Sequence, residues 1–395
     1  VKVLIVHNDF RVYWKGRLFF LHQYLEKMHI NFYAIELFGK GSPYSFDTYE
    51  NKENWWTCLF PDKSYEEIPN HVIRKTFLDK LDEINPDIVI GSSIVFFAGA
   101  LGIRWAKNNQ KKFVMFDDAK PSQVKRSFLV RTIKNLIINQ VDGLWLPSDD
   151  YDEPYRPLVS RSALMFHGYN CIDNDLFRFK KKKEMNFTTI TCVARLVPIK
   201  NIDNLLRAWK IIEKKRPDYK LAIIGDGPEF VSLNELTLSL GLKTIVFLGA
   251  INNSDIPTYF YNSVAFVLPS LSESWGLVVN EAMAAGLPIL ISNKINAANA
   301  LLHEGENGYG YEPSDIEDMA EKILTFIELD VQGKTTMSNN SLEIIDRMNY
   351  DNMGDELLNA AYNLSHEKPK KVPALASLLI NIWHGRYNTA GWNKL

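Results

Sequence analysis

The chain has 395 residues, 46% hydrophobic and 23% charged, with a formal net charge of −2. That length points to two or three domains of about 150 residues each, and the near-neutral balance excludes a nucleic-acid binder held by overall charge. Its three cysteines, Cys58, Cys171 and Cys192, lie far apart with no C-x-x-C pair, which excludes a disulfide framework or a thiolate zinc site and fits a reducing cytoplasm.

In chain order, short β-branched runs alternate with longer amphipathic stretches. "VKVLIV", "DIVIG", "KFVMF", "GLWLP" and "ALMFH" fall in the first half; "FTTITCVAR", "KLAIIG", "TIVFLG", "SVAFVLP" and "PILIS" fall in the second. Most are continuous apolar runs, as expected of strands covered on both faces. The helical patterns between them, such as Ile202–Arg216, make this an α/β chain with parallel sheets and right-handed crossovers. The alternation restarts after "NDLFRFKKKKEMNF", whose lysine run reads as an exposed linker. The expected organisation is therefore two doubly wound Rossmann-like domains, 1–180 and 181–350, facing each other across a cleft. A helical segment, 351–395, follows. The N-terminus reads as a strand rather than a signal peptide, and no apolar run reaches the roughly 18 residues of a membrane span.

The segment "SESWGLVVNEAMAAGLP" carries most of the chemistry. It predicts a helix from about Ser274–Gly276 to Ala285, closed by Gly286 and Pro288. Glu273 lies just before this helix and Glu281 inside it. In continuous helix that spacing is about 12 Å along the axis and roughly 80° around it, so the two carboxylates cannot grip one small group. They can reach two ends of a long ligand. Between them lies a helix N-terminus, whose free N–H groups and positive dipole favour a phosphate, and Gly276 lets its backbone come close. An anion at the centre with a hydroxyl-rich group at each end describes a nucleoside diphosphate sugar. Cations suited to the diphosphate stand upstream in "VARLVPIKNIDNLLRAW", Arg195 at a strand end and Lys200 near the next helix start. Taken alone, these two also read as surface charge, and Glu281 as a solvent-facing acid.

Five blocks, "VARLVPIKNIDNLLRAW", "LAIIGDGPE", "IVFLGAI", "FVLPSLSESWGLVVNEAMAAGLPIL" and "GENGYGY", resemble in order and spacing the family 4 retaining glycosyltransferases of GT-B fold. "NCIDNDLF" is similar to the family's Asn-Gly-Val-Asp segment, with Cys171 where glycine is usual. The resemblance implies that the first domain binds the acceptor and the second the nucleotide sugar, and that the segment 351–395 packs back on the first. Arg195 and Lys200 would contact the diphosphate and stabilise the leaving group. The N–H groups of Gly276, Leu277 and Val278 would hold a phosphate, Glu281 the ribose hydroxyls, and Glu273 the donor sugar. It also implies retention of anomeric configuration by front-face attack, the departing phosphate taking the acceptor proton, with neither metal nor cofactor.

The first half departs from the family pattern. Where relatives carry a Gly-Gly pair in the loop after the first strand, the segment reads "NDFRVYWKGRLFF", leaving Gly16 either to serve in its place as a donor-binding glycine or as an ordinary loop glycine. Where relatives often place a histidine, "KFVMFDDAKPS" places Asp117, either an acceptor-orienting acid or a turn aspartate. Two D-x-D patterns, Asp173/Asp175 and Asp150/Asp152, sit in connecting segments and are not expected to bind metal. The stretch 120–138 mixes Lys125, Arg126, Arg131 and Lys134 with apolar residues, and the tail carries Trp383, Tyr387 and Trp392. Both fit either core packing or the surface of an anionic membrane. The expected partners are a UDP- or GDP-linked sugar and a glycan or lipid-linked acceptor in surface polysaccharide or glycoconjugate assembly, at the cytoplasmic membrane face. Two alternatives stay open: another GT-B enzyme such as a nucleotide-sugar epimerase, and a catalytically silent subunit. A dinucleotide oxidoreductase is disfavoured, because "IIGDGPEF" lacks the third glycine of G-x-G-x-x-G.

Overall fold

The computed structural model describes residues 1–10, 13–40, 53–123, 127–179, 185 and 187–385. Within them the chain forms two compact units, one of 1–169 with 350–385 and one of 170–349. The second unit thus begins upstream of the lysine run, which itself lies outside the described residues.

The first unit is built on a parallel sheet of β1 (Lys2–His7), β2 (Asn31–Phe38), β3 (Trp56–Phe60), β4 (Ile88–Ser92), β5 (Lys112–Phe116), β6 (Gly143–Leu146) and β7 (Leu164–His167). Their order is β3-β2-β1-β4-β5-β6-β7. The second holds β8 (Thr189–Val193), β9 (Lys220–Ile224), β10 (Ile245–Gly249), β11 (Ala265–Leu268), β12 (Ile289–Ser292) and β13 (Gly308–Tyr311), again parallel, in the order β10-β9-β8-β11-β12-β13. The central strands β4, β5, β11 and β12 are buried along their whole length, which is why their sequences run apolar without alternation.

Three strands fall outside the apolar runs. β2 carries Glu36, buried because it accepts the Phe10 N–H at 3.0 Å and the Trp56 Nε1–H at 3.1 Å. β3 is the sheet edge and half-exposed along most of its length. β13 reads "GYGY", and at Gly308 a Cβ would collide with the Ile289 carbonyl. In each, a polar partner, an edge or a close backbone approach replaces the apolar signal.

Helix Ile202–Lys215 shows how the helices pack. Its Ile202, Leu205, Leu206, Trp209 and Ile212 recur at helical spacing and are buried, and the Trp209 indole donates to Thr244 Oγ1 at 3.0 Å. Helices Tyr350–His366 and Ala374–Ile382 belong to the first unit, the latter lying against helices Phe97–Asn108 and Phe128–Ile138. Arg104 donates to the Ile380 carbonyl at 3.2 Å and the Trp383 carbonyl at 2.7 Å, satisfying free acceptors at that helix's end. The Trp383 indole donates to the Ile94 carbonyl at 2.7 Å. Its polar handle is therefore used inside the protein rather than at a headgroup layer; Tyr387 and Trp392 lie outside the described residues.

Candidate active site

The second sheet reverses its strand order between β8 and β11, the place where open α/β sheets bind ligands. The loops leaving these two strands carry the predicted charged set. Arg195 and Lys200 follow β8, and Glu273 follows β11. The Lys200 ammonium pairs directly with Glu273 Oε1, which also accepts from Ser270 Oγ at 2.9 Å. Both side chains of the pair are largely shielded, 20% and 15% exposed, so their attraction is not fully screened by water.

A polar framework aligns the two loops. Asn201, buried and left-handed at φ 58°, donates to the Pro269 carbonyl at 3.0 Å and the Pro313 carbonyl at 2.8 Å. The Leu271 N–H reaches the Ile199 carbonyl at 2.9 Å. One asparagine thus ties the segment bearing Lys200 to the one bearing Glu273. Its left-handed backbone, which asparagine tolerates better than most residues, aims the amide at both acceptors. Asn201 stands beside Lys200 in the sequence, yet its acceptors are remote, so no local pattern announces it.

Gly225 closes the other side. A Cβ there would collide with the Ala194 carbonyl, while the Ala194 N–H donates to the Ile224 carbonyl and the Leu196 N–H to the Asp226 carbonyl, each at 3.0 Å. The "GDG" glycine is needed for close approach to the strand end holding Arg195, a packing reason that owes nothing to a dinucleotide.

The helix after Glu273 runs Leu277–Ala284, with Gly276 at its N-cap at φ 98° and ψ 60°. Only glycine adopts this without strain, and the turn presents the first N–H groups of the helix, those of Leu277 and Val278 among them. Glu281 is 2% exposed, which rules out the solvent-facing alternative. Burying a carboxylate is costly, so its placement here is set by polar surroundings rather than by solvent. Beside it, Asn280 is fully buried, accepting the Trp275 indole N–H at 3.0 Å and donating to the Asn170 carbonyl at 3.0 Å. These two bonds tie the helix's first turn to Trp275 and to the Asn170 backbone.

Asp117 and Gly16 belong to the first unit and are described there. Asp117 follows β5 and accepts the Ala119 N–H at 3.1 Å, the turn geometry that was its alternative reading. It also contributes, after burial, to pushing the Tyr155 phenol well above its usual value. Gly16 corrects the expectation. It lies not in a loop but within helix Tyr13–Lys27, where a Cβ would collide with the Tyr350 hydroxyl, so its smallness serves helix packing.

Sequence reasoning missed His7, at the carboxyl end of β1. Its ring stacks on Phe116 at 5.5 Å and lies 5.6 Å from Phe10 and 6.2 Å from Trp14. Loss of hydration lowers its pKa from 6.5 to about 4, against the opposing pull of Asp9. The imidazole is neutral near pH 7, and its Nδ1 accepts the Asp9 N–H at 3.1 Å, placing the proton on Nε2.

The D-x-D carboxylates have protein partners. Asp173 accepts the Asp175 N–H at 3.1 Å, Asp150 pairs with Lys120 at 2.5 Å, and Asp152 pairs with His167 at 2.8 Å. Among the described residues no group of three or more His, Cys, Asp or Glu could hold a metal ion. The three cysteines form no disulfide, and burial pushes the Cys192 thiol up to about 12, leaving it inert.

Residues 173–343 match the Glycosyl transferases group 1 family. An uncharacterized glycosyltransferase of Haemophilus influenzae is 36% identical over 151 residues, covering 38% of this chain and 42% of the relative. Sulfoquinovosyl transferase SQD2 of Arabidopsis thaliana is 27% identical over 290 residues, 68% of this chain and 55% of the relative. The chain spans about half the length of these curated relatives. Beyond the group 1 domain, the fold is similar to that of Alr3699/HepE of Anabaena, solved with UDP, at a TM-score of 0.73 and 18% identity over 92% of this chain and 100% of that one. The two Rossmann-like sheets are those of a GT-B fold.

Proposed function

We propose that the chain is a family 4 retaining glycosyltransferase that moves a sugar from a UDP- or GDP-linked donor to a hydroxyl of a glycan or lipid-linked acceptor. The observation that carries this reading is the helix mouth of the second unit. There Glu273 and Lys200 pair at the entrance, Arg195 follows the adjacent strand, and Glu281 is buried along the same helix.

In this reading the diphosphate lies over the N–H groups of Gly276, Leu277 and Val278, with Arg195 and Lys200 as counter-charges. Glu281 accepts from the ribose hydroxyls. Lys200 exchanges Glu273 for the diphosphate, freeing the carboxylate to orient the donor sugar and to offset positive charge at its anomeric carbon. The bond from that carbon to the diphosphate oxygen breaks as the bond to the acceptor oxygen forms on the same face. The acceptor proton passes to the departing phosphate. Two fixed cations and a helix end supply the stabilisation a metal would otherwise give. Asp117 is the acceptor-side candidate of the first unit. The nucleotide seen with HepE makes UDP the first base to test.

The test is nucleoside diphosphate release from UDP- and GDP-sugars with and without a glycan or lipid-linked acceptor. Acceptor-dependent release with retained configuration, unaffected by EDTA, is expected. Donor consumption without acceptor points to an epimerase. Activity abolished by EDTA and restored by Mn²⁺ overturns the metal-free mechanism.

A further inference from the structure

We propose that helices Phe128–Ile138 and Ala374–Ile382 of the first unit together form a docking surface for an anionic lipid bilayer. The two helices come from distant parts of the sequence and pack against each other. In the second, Ala376 and Ile380 are buried, yet Leu375, Leu378 and Ile382 are 60%, 59% and 57% exposed. Those three recur at helical spacing and form an outward apolar stripe on a helix already apolar inward. In the first, Ile137 and Ile138 are buried while Phe128 and Leu129 are 74% and 68% exposed. Isolated exposed apolar residues are ordinary; two adjacent helices that both leave their large side chains in water mark an interaction surface.

Charge selects the occupant. Neither helix contains an acidic residue. The Arg131 guanidinium lies 5.7 Å from the Phe128 ring, and exposed Lys368 and Lys371 lead into the second helix. The acid beside them, Glu367, has Lys112 3.7 Å away. Apolar side chains bordered by cations suit a layer of anionic headgroups over acyl chains. A two-fold copy of this chain would instead set the same cations against one another. No described helix is long and apolar enough to cross a membrane, so the surface lies on the bilayer. Arg131 belongs to the basic set the sequence pointed to, and the rest of that set divides. Lys134 is buried and Trp383 is bonded within the unit. Lys125 and Arg126 lie outside the described residues.

The inference rests on the transferase reading only in what it adds to it: an acceptor met at the lipid surface. Vesicle binding needs neither donor nor acceptor, so it fails or succeeds separately from that reading. The experiment is co-sedimentation of the full chain with vesicles of equal phosphatidylglycerol and phosphatidylcholine, against phosphatidylcholine alone. The chain should favour the anionic vesicles by about tenfold or more, and Phe128→Gln/Leu129→Gln/Leu378→Gln/Ile382→Gln should lose at least about tenfold in binding with unchanged thermal unfolding. Arg131→Gln/Lys371→Gln, safe for folding because both side chains are exposed, should lose the preference for anionic vesicles. No binding by the parent chain, or binding unaltered in both variants, overturns the proposal. So does a concentration-dependent dimer that the four-residue variant abolishes.

Discussion

The two units share one architecture and differ at the carboxyl ends of their central strands. In the second unit these ends are charged and polar. Arg195, Lys200 and Glu273 stand on loops aligned by Asn201. In the first they are aromatic. His7, Phe10, Trp14 and Phe116 meet there, and Trp14 stacks on Tyr169 with centroids 5.9 Å apart. Sheet order alone makes a crevice; the side chains at the strand ends decide its ligand. Fixed cations and helix N–H groups suit a diphosphate. The first unit's rings pack on one another, Phe10 fully buried and Phe116 and Trp14 nearly so, and supply no such charge.

That contrast predicts where each kind of damage will show. The largest effect falls on the charged end: Arg195→Ala and Lys200→Ala should each lower turnover by about 10²–10³-fold, because a donor group opposing developing charge is lost. Steady-state kinetics with a saturating donor checks this, and a change confined to KM would break the contrast. At the aromatic end the marker is pH. The folded His7 holds its proton less tightly than the unfolded chain, so acidification from 6.5 towards 4 protonates the unfolded state first and costs stability. The loss should approach about 3 kcal/mol at the acid end of that window. His7→Gln, which keeps an acceptor for Asp9 but does not titrate, should flatten this part of the pH profile in urea titrations. Asn201→Ala, which strips two buried carbonyls of their donor, should destabilise the protein by about 1–3 kcal/mol and also reduce turnover as the loops lose registry. Denaturant midpoints measured beside activity separate these two consequences. Smallest is Glu281→Gln, expected to weaken UDP binding by about tenfold in titration calorimetry through loss of a charged acceptor. Unchanged affinity would remove the ribose assignment and leave the buried carboxylate to another partner.

The charged end was far more legible in the sequence than the aromatic one. Glu273, Gly276 and Glu281 lie in one continuous segment, and helix geometry relates them without reference to the rest of the chain. Arg195 and Lys200 could be added because a strand end and a helix start are readable from local pattern. His7 gave no such signal. It is half-buried and neutral, and Phe116 is brought beside it only by the packing of the sheet that holds β1 and β5. Gly16 misled for a related reason: a glycine in a helix packed beneath Tyr350 has the same letter as a loop glycine. The basic helix divided in the same way. Its composition was evident, but which lysine is covered and which phenylalanine meets water depended on a helix from the far end of the chain.

Apolar runs and their alternation with amphipathic stretches determined, from the sequence alone, two parallel α/β sheets and a helix that starts at a glycine after Glu273. These are short-range properties, set by backbone periodicity and by the chemistry of neighbouring residues. Tertiary structure alone decided which carboxylate is buried and that one asparagine aligns the two charged loops. Each of these depends on which atoms meet across large sequence separations, and burial and hydrogen bonding take their energies from those meetings.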